Sequence, residues 1–282
     1  MATSLRDTSV GEIERRLDAL CVGEEPIQRT TVLTHMAWVP PEWSRAAERV
    51  MEGLGARVPS RTLLLHPDPG AKADRLDAEV EHECFPGPRG EVCAEIVHIW
   101  LRGCTARAPA SVVVPLHIPD LPVFLRWRGR PPFGAVEFEQ LVGVSDRLVV
   151  DSGEWAVPGL RASLTRLAET FDRIVVSDLA WARTLPWRAA LAELWPGIRK
   201  ARVLEIEGPK AEAVLIDCWL RSRLRGAPSL RRREGRKLAR VEVDGERIKP
   251  LRLAQRSASD LLSDQLEQFV RDPVYEAAVR AV

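Results

Sequence analysis

The sequence predicts an α/β protein. Its sheets should be largely parallel with flanking helices, with a mixed α+β hairpin region near the N-terminal third and a C-terminal hairpin followed by a helix. Three observations predict this. Short apolar strand candidates alternate with helix candidates through the middle of the chain, which implies right-handed βαβ crossovers. Leu148–Val150 and Ile174–Val176 are continuously apolar, as suits strands covered on both faces. Two turn signals, Pro86-Gly87-Pro88-Arg89-Gly90 and Asp244-Gly245, mark hairpins.

The elements follow in order. Ser9-Val10-Gly11-Glu12 reads as a capping box opening an amphipathic helix with Ile13, Leu17 and Leu20 on one face and a stop at Gly23. Thr30 to Val39 is a strand and Pro41 to Leu54 a helix. Arg61 to His66 is a strand ended by Pro67-Asp68-Pro69-Gly70. Ala78 to Phe85 and Val92 to Leu101 form the first hairpin. Ala108 to Leu116 starts as a helix, Leu121 to Trp127 is a strand, and Phe133 to Val144 is a helix. Arg147 to Asp151 is a strand, Leu160 to Thr170 a helix and Arg173 to Ser177 a strand. Trp187 to Trp195 is a helix with Trp187, Leu191, Leu194 and Trp195 on one stripe, stopped by Pro196-Gly197. Ala201 to Glu207 is a strand. After Gly208-Pro209 a helix runs to about Leu224, with Leu215, Cys218 and Trp219 on one side. Arg240 to Leu253 is the second hairpin, and Ser257 to Val270 an amphipathic helix. Asp272-Pro273 ends that helix, and a short last helix carries Tyr275. The division expected is 1–131 and 132–282, at Pro131-Pro132, with Ser152-Gly153 as the other candidate boundary and one continuous unit as the alternative.

The chain of 282 residues is 45% hydrophobic, enough for a sizeable core and against global disorder. A formal net charge of +1 gives no whole-molecule field favouring nucleic acid or membrane. No apolar run approaches the roughly 20 residues of a membrane helix, and the first residues hold no apolar signal core. Five Cys at 21, 84, 93, 104 and 218, without a Cys-x-x-Cys, fit a reduced, cytoplasmic compartment. Nine Trp stand against one Tyr, and most of them are expected to fill the core.

The signatures of chemistry are weak. Gly53-Leu54-Gly55 lacks a third glycine and follows a helix, not a strand, so it is no dinucleotide fingerprint. His82-Glu83-Cys84, with Cys93 and His98 across the hairpin, matches no common zinc spacing and reads as half-buried strand residues. No metal and no cofactor are expected. Asp120, Asp151, Asp172 and Asp178 lie near strand or helix ends, where ligands gather in parallel sheets, but Asp and Ser there also cap helices, the reading favoured here. From Arg221 to Arg256 thirteen Lys or Arg face four Asp or Glu. An acidic protein partner and a solvated Arg-rich loop rank level for this segment, and nucleic acid ranks below both, for want of interleaved aromatics.

The densest signal is Asp178-Leu179-Ala180-Trp181-Ala182-Arg183-Thr184-Leu185-Pro186-Trp187-Arg188. Trp and Arg dominate protein–protein hot spots, and no nucleophile, metal set or phosphate loop accompanies them. Asp120 to Gly129 ends similarly, in Trp127 and Arg128. The partner-facing candidates are therefore Trp127, Arg128, Trp181, Arg183, Trp187 and Arg188, which either anchor a partner or brace the fold behind the anchor. Trp187, on its apolar stripe, is expected in the core, leaving Arg183 and Arg188 as the better surface candidates.

The order of these motifs resembles a known family. Asp120-Leu121-Pro122-Val123, Ser145-Asp146-Arg147-Leu148-Val149-Val150-Asp151-Ser152, Asp178-Leu179-Ala180-Trp181-x-Arg183 and Pro186-Trp187-Arg188 are similar to the OpcA glucose-6-phosphate dehydrogenase assembly proteins. Pro59-Ser60-Arg61, Cys93-Ala94-Glu95-Ile96 and Asp272-Pro273-Val274-Tyr275-Glu276-Ala277-Ala278 extend the resemblance from about residue 30 to the C-terminus. Arg126-Trp127 stands where the family usually has a Trp pair. The resemblance implies a non-catalytic allosteric activator that binds glucose-6-phosphate dehydrogenase and favours its active oligomeric state, in the oxidative pentose phosphate pathway. It carries over no catalytic residue. The alternative is an α/β enzyme or sensor for sugar phosphates or nucleotides, with a crevice near Asp151, Asp178 and Arg128. A third reading, a nucleic-acid-associated protein, would use Arg231 to Arg240.

Overall fold

The computed structural model describes residues 2–19, 31–51, 54–87, 90–156, 158–252 and 256–282. In chain order the first half holds β1 (Thr3–Leu5), α1 (Val10–Ala19), β2 (Leu33–Trp38), α2 (Ser44–Met51), α3 (Leu54–Arg57), β3 (Ser60–Asp68), β4 (Arg75–Gly87), β5 (Gly90–Arg102), α4 (Cys104–Arg107), α5 (Pro109–Val113), β6 (Val123–Trp127), α6 (Val136–Gly143) and β7 (Arg147–Val150). The second half holds α7 (Leu160–Ala168), β8 (Val175–Asp178), α8 (Leu179–Arg183), α9 (Leu185–Ala192), β9 (Val203–Gly208), α10 (Lys210–Arg223), β10 (Ser229–Glu234), β11 (Arg240–Val243), β12 (Glu246–Ile248), α11 (Ala258–Leu266) and α12 (Pro273–Arg280). The α/β class holds. Contacts divide the chain into two units, Met1–Val149 with Ser257–Phe269 and Val150–Arg256 with Val270–Val282.

The first unit is built on strands in the order β1-β4-β5-β3-β2-β6-β7. From β5 across to β7 neighbours run parallel, while β1–β4 and β4–β5 are antiparallel. All six residues of β2, including Thr34 and His35, are buried, as in a parallel strand covered on both faces. β3 runs on through Pro67, where the sequence placed a stop. β2 has already ended opposite Leu65, so Pro67 lies at a local edge, where a missing N–H is tolerated. The helix expected over 41–54 begins as a 3₁₀ turn at Pro41–Trp43 and continues as α2. Ser9 Oγ accepts from the Glu12 N–H, but the Glu12 carboxylate takes the Thr8 hydroxyl, so the capping box of α1 is half formed. α11 has the complete box, from Ser257 and Asp260. Leu20, Cys21, Gly23 and Thr30, and parts of the first hairpin loop and of Gly53-Leu54-Gly55, lie outside the described residues.

The second unit carries a sheet in the order β10-β9-β11-β12. β9 alternates buried Leu204 and Ile206 with Glu205 and Glu207. The segment Arg231–Glu234, weighed above as a solvated loop, is instead part of β10, parallel to β9. Cross-strand charge explains the difference: Arg231 and Arg233 lie 3.5 and 4.0 Å from Glu205. The Asp244-Gly245 turn has φ of 50° and 85°, positive at both central residues as a tight hairpin of this kind needs. α9 ends at Ala192, short of the predicted Trp195, which is 59% exposed with Arg199 stacked over it. Trp187 and Leu191 point the other way, into a core with Ile198, Leu204, Ile206, Ile216 and Val241.

Candidate functional site

The Asp-Leu-Ala-Trp segment folds as a strand end and a helix start, and this fixes its chemistry. Asp178 caps α8: its Oδ1 accepts from the Ala180 N–H (2.9 Å) and the Ser152 N–H (3.0 Å), and its Oδ2 takes the Tyr275 hydroxyl at 3.3 Å. It is almost fully buried, and burial, with the neighbouring Asp151 charge, pushes its carboxyl up to about 6. Burial and the same carboxylate hold the Tyr275 phenol protonated.

Asp151 follows β7 and caps a 3₁₀ turn by accepting from the Gly153 N–H. Arg183 grips it bidentately, Nη1 to Oδ2 at 2.9 Å and Nη2 to Oδ1 at 2.7 Å. The Arg183 Nε donates to Glu212 of α10 at 2.8 Å. Burial disfavours charge on Arg183, and its two carboxylates more than offset that, so it stays charged. A Cβ at residue 153 would stand 2.6 Å from Arg183 Nη2, so a side chain there has to displace the guanidinium from Asp151. One Arg thus ties the exit of β7, the end of α8 and the start of α10.

Trp181, on the next turn, donates its indole N–H to Asp272 Oδ2 at 2.8 Å. The other Asp272 oxygen caps α12 through the Val274 and Tyr275 N–H groups. The Arg188 guanidinium stacks over the Trp181 ring, 3.4 Å from its centre, and its Nε donates to Thr184 Oγ1 at 2.8 Å. Burial lowers the Arg188 pKa to about 10, with Asp272 working against that. Trp181 is 5% exposed, so its ring is an internal plate between Arg188 and Tyr275. Trp187 turns away into the sheet core.

Trp127 and Arg128 belong to the first unit. Trp127 is buried, stacked on Trp38 at 4.9 Å between ring centres and met edge-on by Phe138 at 5.1 Å. The Arg128 guanidinium lies over Trp43, and Gly129, at φ 72°, lets the backbone pass where a Cβ would stand 2.8 Å from the Trp43 indole nitrogen. Arg126 is buried, and its guanidinium donates to the Trp127 carbonyl.

The structure therefore joins Trp181 to Arg188, ties Arg183 to Asp151, and sends Trp187 and Trp127 into cores of their own units. Both oxygens of Asp151 and of Asp178 are engaged by protein donors, which fits capping and bracing. Of the residues weighed as metal ligands, His98 pairs with His66 at 3.1 Å and approaches Glu81 at 3.8 Å, and Cys84, which stands opposite Cys93 in the hairpin register, is disulfide-bonded, against the reduced cysteines expected from the sequence. Cys104 and Cys218 are free thiols. Among the described residues no group of three His, Cys, Asp or Glu could hold a metal ion, and no helix is long and apolar enough to cross a membrane. Glu212 was missed because nothing marks a buried helical Glu as an ion-pair partner. Asp272 and Tyr275 carried a legible signal, an N-cap followed by Pro at the first helical position.

Comparison with known proteins adds to this geometry. Residues 52–169 match the family model described as glucose-6-phosphate dehydrogenase subunit N-terminal domain, and residues 174–279 match the one described as its C-terminal domain. Three cyanobacterial relatives, each provisionally named OxPP cycle protein OpcA, also match. The Synechocystis sp. protein is 30% identical over 149 residues, 49% of this chain and 30% of the relative. The Nostoc punctiforme protein is 26% identical over 193 residues, 64% and 41% respectively. The Synechococcus elongatus protein is 29% identical over 183 residues, 59% and 40%. The chain thus spans less than half the length of the curated relatives it matches.

Proposed function

This chain belongs to the OpcA family of glucose-6-phosphate dehydrogenase assembly proteins, and on that premise we propose that it is a non-catalytic, cytoplasmic partner that binds glucose-6-phosphate dehydrogenase and favours its active oligomeric state. The observation that carries this reading is the succession of the two family matches along the chain, each described as a domain of a glucose-6-phosphate dehydrogenase subunit. The chemistry of the second unit supports it, since the acids best placed for catalysis are engaged as caps and ion-pair braces. An activator must bind one state of the enzyme better than another, because equal affinity shifts nothing. A tenfold preference needs about 1.4 kcal/mol, which one well-packed Trp or Arg anchor can supply. Arg183 and Arg188, the partly exposed members of the network, are the residues proposed to present that anchor, with Trp181 and Trp187 as braces behind them. Trp127 and Arg128 are both buried in the first unit, so they are assigned only a bracing role there.

The test is kinetic and hydrodynamic. The chain is titrated into glucose-6-phosphate dehydrogenase of the same organism while NADPH formation is followed, and the mixture is run by size-exclusion chromatography. A saturable rise in rate or fall in KM, with co-elution, is expected. No kinetic change and no co-elution would overturn the reading.

A further inference from the structure

An open basin of about 590 Å³ lies between α9 and the β11–β12 edge of the second unit. Trp187 forms part of its lining with Leu238 and Ile248, while Lys237, Arg247 and Lys249 stand around it. Among the described residues no acidic one lines it. All three cations are exposed, and among the described residues none of their side chains makes an ion pair or hydrogen bond. Elsewhere in the same sheet Arg is answered by Glu: Arg231 and Arg233 by Glu205, and Arg240 by Glu242. The basin is therefore a place where this sheet leaves positive charge uncompensated beside apolar surface.

We propose that this basin receives an acidic polypeptide segment carrying one apolar anchor residue. The anchor would seat against Leu238 and Ile248, beside the edge of Trp187 that reaches the basin, and flanking carboxylates would meet Lys237, Arg247 and Lys249. Three observations favour a polypeptide. The basin is open and about 590 Å³, so it admits an anchor together with its flanking backbone. Trp187 is 6% exposed, so it offers no open ring face for a stacked base. Arg231, Arg233 and Arg240 already face Glu205 and Glu242, so the uncompensated charge of the basin is the three separate cations Lys237, Arg247 and Lys249, which several carboxylates along one segment can meet and a single phosphate group cannot. Assigning that segment to glucose-6-phosphate dehydrogenase rests on the proposed function; the chemistry of the basin does not.

The experiment measures association of the full chain with purified glucose-6-phosphate dehydrogenase of the same organism by biolayer interferometry, at low and high salt. The variants are Lys237→Glu/Arg247→Glu/Lys249→Glu and the milder Lys237→Gln/Arg247→Gln/Lys249→Gln, both checked for folding by circular dichroism. Rim charges act on encounter, so the triple Glu variant is expected to associate on the order of tenfold more slowly at low salt, with the Gln variant between it and wild type. High salt should narrow the difference. Wild-type association rates in both variants would overturn the basin and leave the proposed function standing. If the wild-type chain fails to bind the enzyme, the proposed function falls, and a fluorescein-labelled Glu-Glu-Phe-Glu-Glu peptide followed by anisotropy decides the basin alone. Saturable binding of that peptide, lost in the Glu variant, supports it; equal anisotropy with wild type and variant overturns it.

Discussion

Replacing Asp178 by Asn reverses a cost that the fold carries at neutral pH. Asp178 is 1% exposed, and burial first, then the Asp151 charge, raises its carboxyl from 3.8 to about 6. At about 1.4 kcal/mol per pH unit, that separation corresponds to about 3 kcal/mol by which ionised Asp178 weakens the native state. The native protein keeps a proton on Asp178 between pH 3.8 and about 6 that the unfolded chain has released. Stability from this group is therefore greatest below the window, falls as pH rises through it, and carries the full cost above it. An amide at this position keeps an oxygen to accept from the Ser152 and Ala180 N–H groups and gains donors toward the Tyr275 hydroxyl. Asp178→Asn is thus expected to be more stable than wild type at pH 7, by up to about 3 kcal/mol, and to converge with it near pH 4. Urea unfolding followed by tryptophan fluorescence, repeated across the acid to neutral range, reads both the midpoint and its pH dependence. A variant less stable than wild type at pH 7, or two pH profiles that run parallel, would refute the reasoning.

Three further outcomes follow from named contacts. Arg183→Ala leaves Asp151 and the buried Glu212 without their cation and should lower stability by about 2–4 kcal/mol in chemical denaturation, the lower end reflecting the partial exposure of Arg183; an unchanged midpoint would remove the brace. Trp127→Ala opens a cavity between Trp38 and Phe138 and should cost about 3–5 kcal/mol, read as a drop in Tm; a loss under 1 kcal/mol would mean the stack is not packed. Gly129→Ala places a side chain at φ 72° against the Trp43 indole and should cost about 1–3 kcal/mol, whereas Gly143→Ala, with nothing near its Cβ, should be neutral or stabilising; equal melting temperatures for the two variants would refute the close approach at Gly129.

The strands were legible where periodicity and turn chemistry agreed. Leu148–Val150 reads as a covered strand because three successive apolar residues need two apolar neighbours, and the parallel sheet supplies them. Asp244-Gly245 marks its hairpin because few other pairs accept positive φ twice. β10 was not legible, since Arg231–Arg233 has no apolar alternation and becomes a strand only through Glu205 on its neighbour. The site shows the same divide. The sequence marked Trp181, Arg183 and Arg188 as unusual and offered anchor and brace as alternatives. Which groups satisfy them depends on Glu212 and Asp272, 29 and 91 residues away, and no local pattern reaches that far. The basic basin was invisible for the same reason, because Trp187 and Lys249 meet only through the packing of α9 on β12.

The most direct measurement is the mass distribution of glucose-6-phosphate dehydrogenase from the same organism, taken by mass photometry with and without the chain at matched concentrations. An assembly partner predicts a saturable new population containing both proteins, with the enzyme's oligomer distribution moved toward its higher-order, more active form. An enzyme distribution that is identical in the two samples, with the chain remaining alone, would contradict the assembly role.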